Sequence, residues 1–282
     1  MNKYLSLIKF SHTVFALPFA MIGFTLGYQT CGFSLSKLGL VLLCMVCARS
    51  AAMAFNRYID RDIDAANPRT AVREIPSGVV SASNALRFTV ACSVGLVAAT
   101  YFINPLCFYL SPVALLLTLG YSLTKRFTAL CHIVLGLSLS LAPIGAYMAV
   151  TGNGDNWIPW AFSVVVVLWV SGFDVIYALQ DEDFDKSKGL NSIPVWLGTS
   201  GALRLSTALH VVCAVVLASI MYFGGFHILA NIGAAIFIGL LAYQHSLVKP
   251  TDLSRINLAF FTTNGIASIA FGACMISDMV FL

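Results

Sequence analysis

Eight of the twelve acidic residues of this chain fall in or just before two short stretches, each at the end of an apolar segment. The first stretch is Asn56-Arg57-Tyr58-Ile59-Asp60-Arg61-Asp62-Ile63-Asp64; the second is Asp181-Glu182-Asp183-Phe184-Asp185, with Asp174 two helical turns ahead of it. Carboxylates massed at such a boundary repel one another and resist losing water, so they call for a strong local cation, and their spacing points to a divalent metal. Each residue turns an α-helix by about 100°. Asn56, Asp60 and Asp64 are four apart and share one slowly drifting stripe, which Arg49 joins from seven residues upstream. Asp174, Asp181 and Asp185 share a second face, with Tyr177 one turn from Asp174. Asp62, Glu182 and Asp183 fall elsewhere and are assigned to solvent. Two acidic stripes facing each other would form a bowl for Mg²⁺, which takes oxygen ligands, keeps several waters and shares substrate phosphates. Arg69, Arg73, Lys125 and Arg126 would complement the part of a diphosphate that the metal does not neutralise. At the edge of an apolar interior, that chemistry suits a lipid with a phosphate head and a hydrocarbon tail.

The elements that must position these residues are membrane spans. The chain is 59% hydrophobic and 10% charged, with a mean hydropathy of +0.87, whereas soluble domains carry roughly 25% charged residues. A span needs about 20 mostly apolar residues, and nine segments qualify: 10–29, 36–58, 84–103, 108–124, 131–151, 159–179, 202–224, 226–247 and 256–280. Two polar connections, 59–83 and 180–201, hold the acidic clusters, and their like placement after the second and sixth spans hints at an internal duplication. Lys3 and Lys9 before the first span resemble a signal peptide, but the spans that follow make this a retained first helix. With the N-terminus inside, 14 of the 16 Lys and Arg lie at cytoplasmic ends, Lys37 lies opposite and Arg49 within a span. The positive-inside rule therefore places the N-terminus and both acidic loops on the cytoplasmic face. Asn67-Pro68 ends the helix carrying the first cluster, because proline disfavours helical geometry in the residue before it.

These residues carry a family resemblance. N-x-x-x-D-x-x-x-D at Asn56, Asp60 and Asp64, the following N-P-R-T and P-S-G, Y-A-x-Q-D-x-x-x-D from Tyr177 to Asp185, a downstream S-I-P, and Tyr121-Ser122-Leu123-Thr124-Lys125-Arg126-Phe127-Thr128 together resemble the UbiA family of intramembrane aromatic prenyltransferases. The resemblance runs along essentially the whole chain and implies one transmembrane domain, 1–282. Its expected fold is all-α, with nine transmembrane helices in a ring around a central cavity and the Asp-rich ends on the cytoplasmic side of a bacterial-type inner membrane. Carried over, Asn56, Asp60 and Asp64 form one Mg²⁺–diphosphate contact set and Asp181 and Asp185 the other, while Tyr121 and Lys125 match a Tyr-x-x-x-Lys pair near the diphosphate. The implied reaction is Mg²⁺-dependent transfer of a polyprenyl group from its diphosphate to a ring carbon of a hydroxylated aromatic acceptor. A 4-hydroxybenzoate-like acid and a dihydroxynaphthoate rank close together, in quinone biosynthesis. A porphyrin, a chlorophyllide or a glycerol phosphate are alternative acceptors within the family. An ion-coupled transporter is the rival from another class, although it predicts midplane charges in broken helices, and the acids here gather at one face. The expected partners are the two substrates and the bilayer; no nucleic acid and no obligate protein partner are indicated.

Finer assignments concern single residues. Asp174 is a candidate base for the ring proton, or a group that orients a metal water or pairs with Arg49. Arg49 either holds an acceptor carboxylate by a bidentate pair or makes a salt bridge to Asp174 or Asp60. Tyr121 and Tyr177 are candidates to stabilise an allylic cation by their π faces, Tyr177 on the acceptor side. His12 either packs and caps the interface or faces the site, and Ser192 either touches a phosphate or caps its loop. His132, His210, His227 and His245 are expected to be structural, and Cys44-Met45-Val46-Cys47 to pack within the membrane rather than bind metal.

Overall fold

The structure, a computed structural model, describes residues 2–8 and 15–282. His12 and Lys9 lie outside the described residues. Among the described residues the chain is all helical, and eight helices are long and apolar enough to cross a membrane. A short helix α1 (Asn2–Leu7) precedes α2 (Leu17–Cys31), α3 (Leu35–Ile59) and a six-residue α4 (Arg61–Ala66). After the connection come α5 (Ala82–Ile103), α6 (Pro105–Thr124), α7 (Cys131–Thr151) and α8 (Trp157–Ala178). A 3₁₀ turn (Leu179–Asp181) leads to α9 (Glu182–Ser187), followed by α10 (Ile193–Phe223), α11 (Ile228–Leu247), a π-helical turn (Leu258–Thr263) and α12 (Asn264–Phe281). The first expected span, 10–29, begins in residues that are not described, and its described part is the 15-residue α2.

Polar residues set the helix starts. Ser34, Ser81, Asn104, Asn156 and Ser192 each accept a hydrogen bond from a backbone N–H of the first turn, satisfying donors that the helix itself leaves free. Ser192 therefore performs the capping role, one of the two foreseen for it. The seventh span starts earlier than expected: α10 opens at Ile193 and kinks at Gly198, whose φ of 67° is left-handed.

The helices divide into a dense half and a hollow half. Helices α2, α7, α8, α10, α11 and α12 pack in a closed circuit around aromatic side chains that include Phe19, Phe162, Trp169, Phe237 and Phe271. Asn264 braces this half: its Oδ1 accepts from Trp169 Nε1 at 2.8 Å, and its Nδ2 donates to the Ala259 and Phe260 carbonyls of the π turn. The other half holds a cavity of about 360 Å³ lined chiefly by α3, α5, α6 and α7. The cavity lies beside the half that the large aromatic residues of α8, α11 and α12 fill.

Candidate active site

The C-terminal ends of α3, α6 and α8 meet at one end of the bundle, and the two connections fold over them. Four acids and four bases pair there, and Asp64 has a second, longer contact with Arg57. Arg126 donates to Asp60 Oδ1 at 2.8 Å and to the Ile59 carbonyl, also at 2.8 Å, so it ties the end of α6 to the end of α3. Arg73 donates to Asp64 Oδ1 at 2.6 Å. Arg69 makes a bidentate contact with Asp181. Lys125 Nζ stands 2.7 Å from Asp185 Oδ1, and its charge also acts on Asp60 and Asp181. Lys125 therefore sits between the two clusters, and the structure joins them into one site.

Local geometry departs from two continuous stripes. Helix α3 ends at Ile59, with Asp60 as its C-cap and the first residue ahead of α4. Asn56 and Asp60 keep their four-residue contact, Asn56 Nδ2 donating to Asp60 Oδ2 at 2.9 Å, while Asp64 belongs to the next helix. The second stripe changes phase at the 3₁₀ turn, which separates Asp174 on α8 from Asp181 and Asp185. Asp62 is exposed, as expected. Glu182 is taken up by Lys186 at 2.8 Å and Thr199 at 2.7 Å.

The donor set fits Mg²⁺. Asn56, Asp60, Asp64, Asp181 and Asp185 offer only oxygen for coordination, the hard ligands this ion takes. Asp185 is fully buried, yet neither of its oxygens accepts a well-angled hydrogen bond from the described residues, and Asp64 Oδ2 is buried and equally without a donor. Burial pushes the Asp60 carboxyl above the ordinary carboxylate range, and the Arg126 guanidinium only partly offsets it. Such desolvated carboxylates gain most from a divalent cation. No three His, Cys, Asp or Glu among the described residues are gathered as a metal centre, and Asp60, Asp64, Asp181 and Asp185 each face a basic side chain.

Below this polar end lies the cavity. Arg49 and Tyr121 line it among apolar side chains. Arg49 makes no salt bridge to Asp174 or Asp60, and its buried Nε has no hydrogen-bond partner among the described residues. Arg49, Asp60 and Asp174 are among the charges that act on Tyr121, so the phenol marks the junction of cavity and polar end. Tyr177 lies elsewhere: it stacks on Phe260 with ring centroids 4.1 Å apart, and its hydroxyl accepts from Arg69 at 3.2 Å. It borders the Asp181 contact and does not line the cavity.

Several site residues escaped the sequence. Asp174 pairs with His132, Nδ1 to Oδ2 at 2.7 Å, although the two lie 42 positions apart and no spacing links them. Asn67, expected only to stop a helix, also donates to Asp181 Oδ1 at 3.0 Å. Arg57 is buried between Asp64 and Glu74, at 3.9 and 4.0 Å. Its seven-residue interval to Asp64 was a usable signal.

Comparison with known proteins gives a consistent result. The family model described as the UbiA prenyltransferase family matches residues 16–266. A protein of Aliivibrio fischeri (strain MJ11) named 4-hydroxybenzoate octaprenyltransferase is 32% identical over 241 residues, covering 82% of this chain and 79% of that protein. The apo structure of a UbiA homologue from Aeropyrum pernix superposes with a TM-score of 0.87 at 34% identity, covering 95% of this chain and 98% of the other. A UbiA homologue from Archaeoglobus fulgidus, solved with GPP and Mg²⁺, shares the fold with a TM-score of 0.75 at 23% identity, covering 98% and 99%.

Proposed function

The chain belongs to the UbiA prenyltransferase family, and from that premise we propose that it transfers a polyprenyl group from its diphosphate to a ring carbon of a hydroxylated aromatic acid in quinone biosynthesis. It works as one transmembrane domain, 1–282, of the inner membrane, with the acidic end facing the cytoplasm. A 4-hydroxybenzoate-like acid is the favoured acceptor and a dihydroxynaphthoate the next. The observation that carries this function is the juxtaposition of a four-acid, four-base end with an apolar cavity lined by Arg49, whose buried Nε has no hydrogen-bond partner among the described residues. The paired end suits a diphosphate and its metal, the cavity suits apolar chains and rings, and Arg49 suits a carboxylate. The name carried by the Aliivibrio relative supports the same acceptor.

Mg²⁺, held by Asn56, Asp60, Asp64, Asp181 and Asp185, would supply Lewis-acid and electrostatic withdrawal of charge from the diphosphate. Arg69, Arg73, Lys125 and Arg126 exchange their carboxylate partners for phosphate oxygens and neutralise the departing group. The allylic C–O bond breaks with its electron pair leaving on the diphosphate. Tyr121 presents a π face beside the resulting allylic cation, worth roughly 0.5–2 kcal/mol. A ring carbon of the acceptor, steered by Arg49, supplies the electron pair of the new C–C bond. The ring proton then passes to a base, and Asp174, seven residues before Asp181, is the residue proposed for it.

Purified protein in lipid vesicles, given geranyl diphosphate, Mg²⁺ and a panel containing 4-hydroxybenzoate and dihydroxynaphthoates, tests this by mass spectrometry. Prenylated 4-hydroxybenzoate that disappears with EDTA and with Asp60→Ala is the expected outcome. Turnover retained in Asp60→Ala would contradict the metal assignment. No product and no diphosphate release with any acceptor would overturn the function.

A further inference from the structure

Five acids approach the site, and four of them face a permanent cation. Asp174 is the exception. Its ion-pair partner among the described residues is the imidazole of His132, Nδ1 to Oδ2 at 2.7 Å. The His132 side chain is almost fully buried, and its other nitrogen is committed: Nε2 accepts from the backbone N–H of Ile193 at 3.4 Å, at the first residue of α10. Nδ1 carries the proton that faces Asp174, so the ring donates to that carboxylate. The ring is further held through its own backbone, whose carbonyl accepts from Ser171 at 3.2 Å, one turn before Asp174 on α8. One oxygen of Asp174 is thus fixed, and the carboxylate keeps about a fifth of its surface open. Asp174 also lies seven residues before Asp181, about 10 Å deeper along the helix axis, and acts on Tyr121 together with Arg49.

Resting on the aromatic-transfer function proposed above, we propose that His132 is the positioning residue that orients Asp174 as the base for the ring proton. After the new C–C bond forms, the ring C–H bond breaks: its proton goes to the Asp174 carboxylate, and its electron pair restores the aromatic ring. His132 exchanges no proton. It holds Oδ2 by a hydrogen bond and so leaves the other carboxylate oxygen to take the ring proton.

The test uses the full chain in lipid vesicles with ordinary and ring-deuterated 4-hydroxybenzoate. In His132→Leu, kcat should fall on the order of 10²-fold, the cost of a misplaced catalytic group. The KM for geranyl diphosphate and the calorimetric affinity for Mg²⁺ with geranyl diphosphate should stay unchanged. The ring-deuterium isotope effect on kcat, small in the wild type, should rise because proton removal becomes slow. His132→Asn, whose amide N–H replaces Nδ1–H, should recover most of the rate and lower the isotope effect again. If His132→Leu is not recovered folded, the contrast passes to His132→Gln, which reaches only the Nε2 position and should behave like the Leu variant. Wild-type rates in His132→Leu or His132→Gln, or a slow variant with no rise in isotope effect, would overturn the positioning role. A wild-type chain that prenylates no hydroxylated aromatic overturns the parent function and this role with it. The two failures are distinct, because the first leaves wild-type product formation intact.

Discussion

Arg49 shows what a single buried charge can report. A guanidinium beside an apolar cavity normally finds a carboxylate, because an unpaired buried charge is costly. Arg49 has no acidic partner within the described residues, and its Nε is without a hydrogen bond. The missing partner is supplied by the acceptor in the function proposed here. Arg49→Lys keeps the charge and loses the planar fork, so steady-state kinetics should show the acceptor KM rising roughly tenfold or more, the loss of one charged hydrogen bond, with the donor KM little changed. Equal rises in both would remove the acceptor role. Spacing in the sequence singled out Asn56, Asp60, Asp64, Asp181 and Asp185 as candidates because neighbours on one helix face recur every three or four residues, and charge alone suggested their basic complement. It could not assign Arg126 to Asp60, 66 positions away, or His132 to Asp174.

At the scale of elements, the site depends on where helices stop and how closely they approach. Helix α3 stops at Asp60 and α8 gives way to a 3₁₀ turn at Leu179. Each acidic cluster therefore straddles a break that turns its carboxylates inward over the bundle end. Helical periodicity anticipates the faces of unbroken helices, and these breaks changed the phase. Close approach is equally specific: a methyl on Gly23 of α2 would run into the Pro143 carbonyl of α7. Gly23→Ala should cost about 1–3 kcal/mol through forced separation of these helices. Thermal unfolding in detergent should show it as a lower midpoint, while an alanine at Gly39, in a helix interior with open space around it, should not lower the midpoint and should raise it by the higher helix propensity of alanine.

For the whole molecule, charge balance at the bundle end sets how ligands enter. The four carboxylates Asp60, Asp64, Asp181 and Asp185 each face a base, and Asp64 also has Arg57 at 3.9 Å. Metal alone would displace bases and leave them without partners. Diphosphate alone would draw the bases away and leave bare carboxylates. Together the two ligands satisfy both sets, so each should strengthen the other's binding, roughly 5- to 150-fold and by the same factor in both directions. Calorimetric titration of Mg²⁺ with and without geranyl diphosphate, and the reverse, measures this; independent affinities would show that the pairs do not control entry. Length, hydropathy and the placement of acids and bases already determine that the chain is a helical membrane protein and name the atoms able to meet a metal and a phosphate. Those properties are local, arising from side-chain chemistry and a fixed helical pitch. Tertiary structure alone decides that the aromatic half packs solid and pushes the cavity against α3, α5, α6 and α7, that Tyr177 joins Arg69 rather than the cavity, and that His132 meets Asp174. These are contacts between residues far apart in the chain, and they follow from how side-chain volumes pack, which no spacing along one helix encodes.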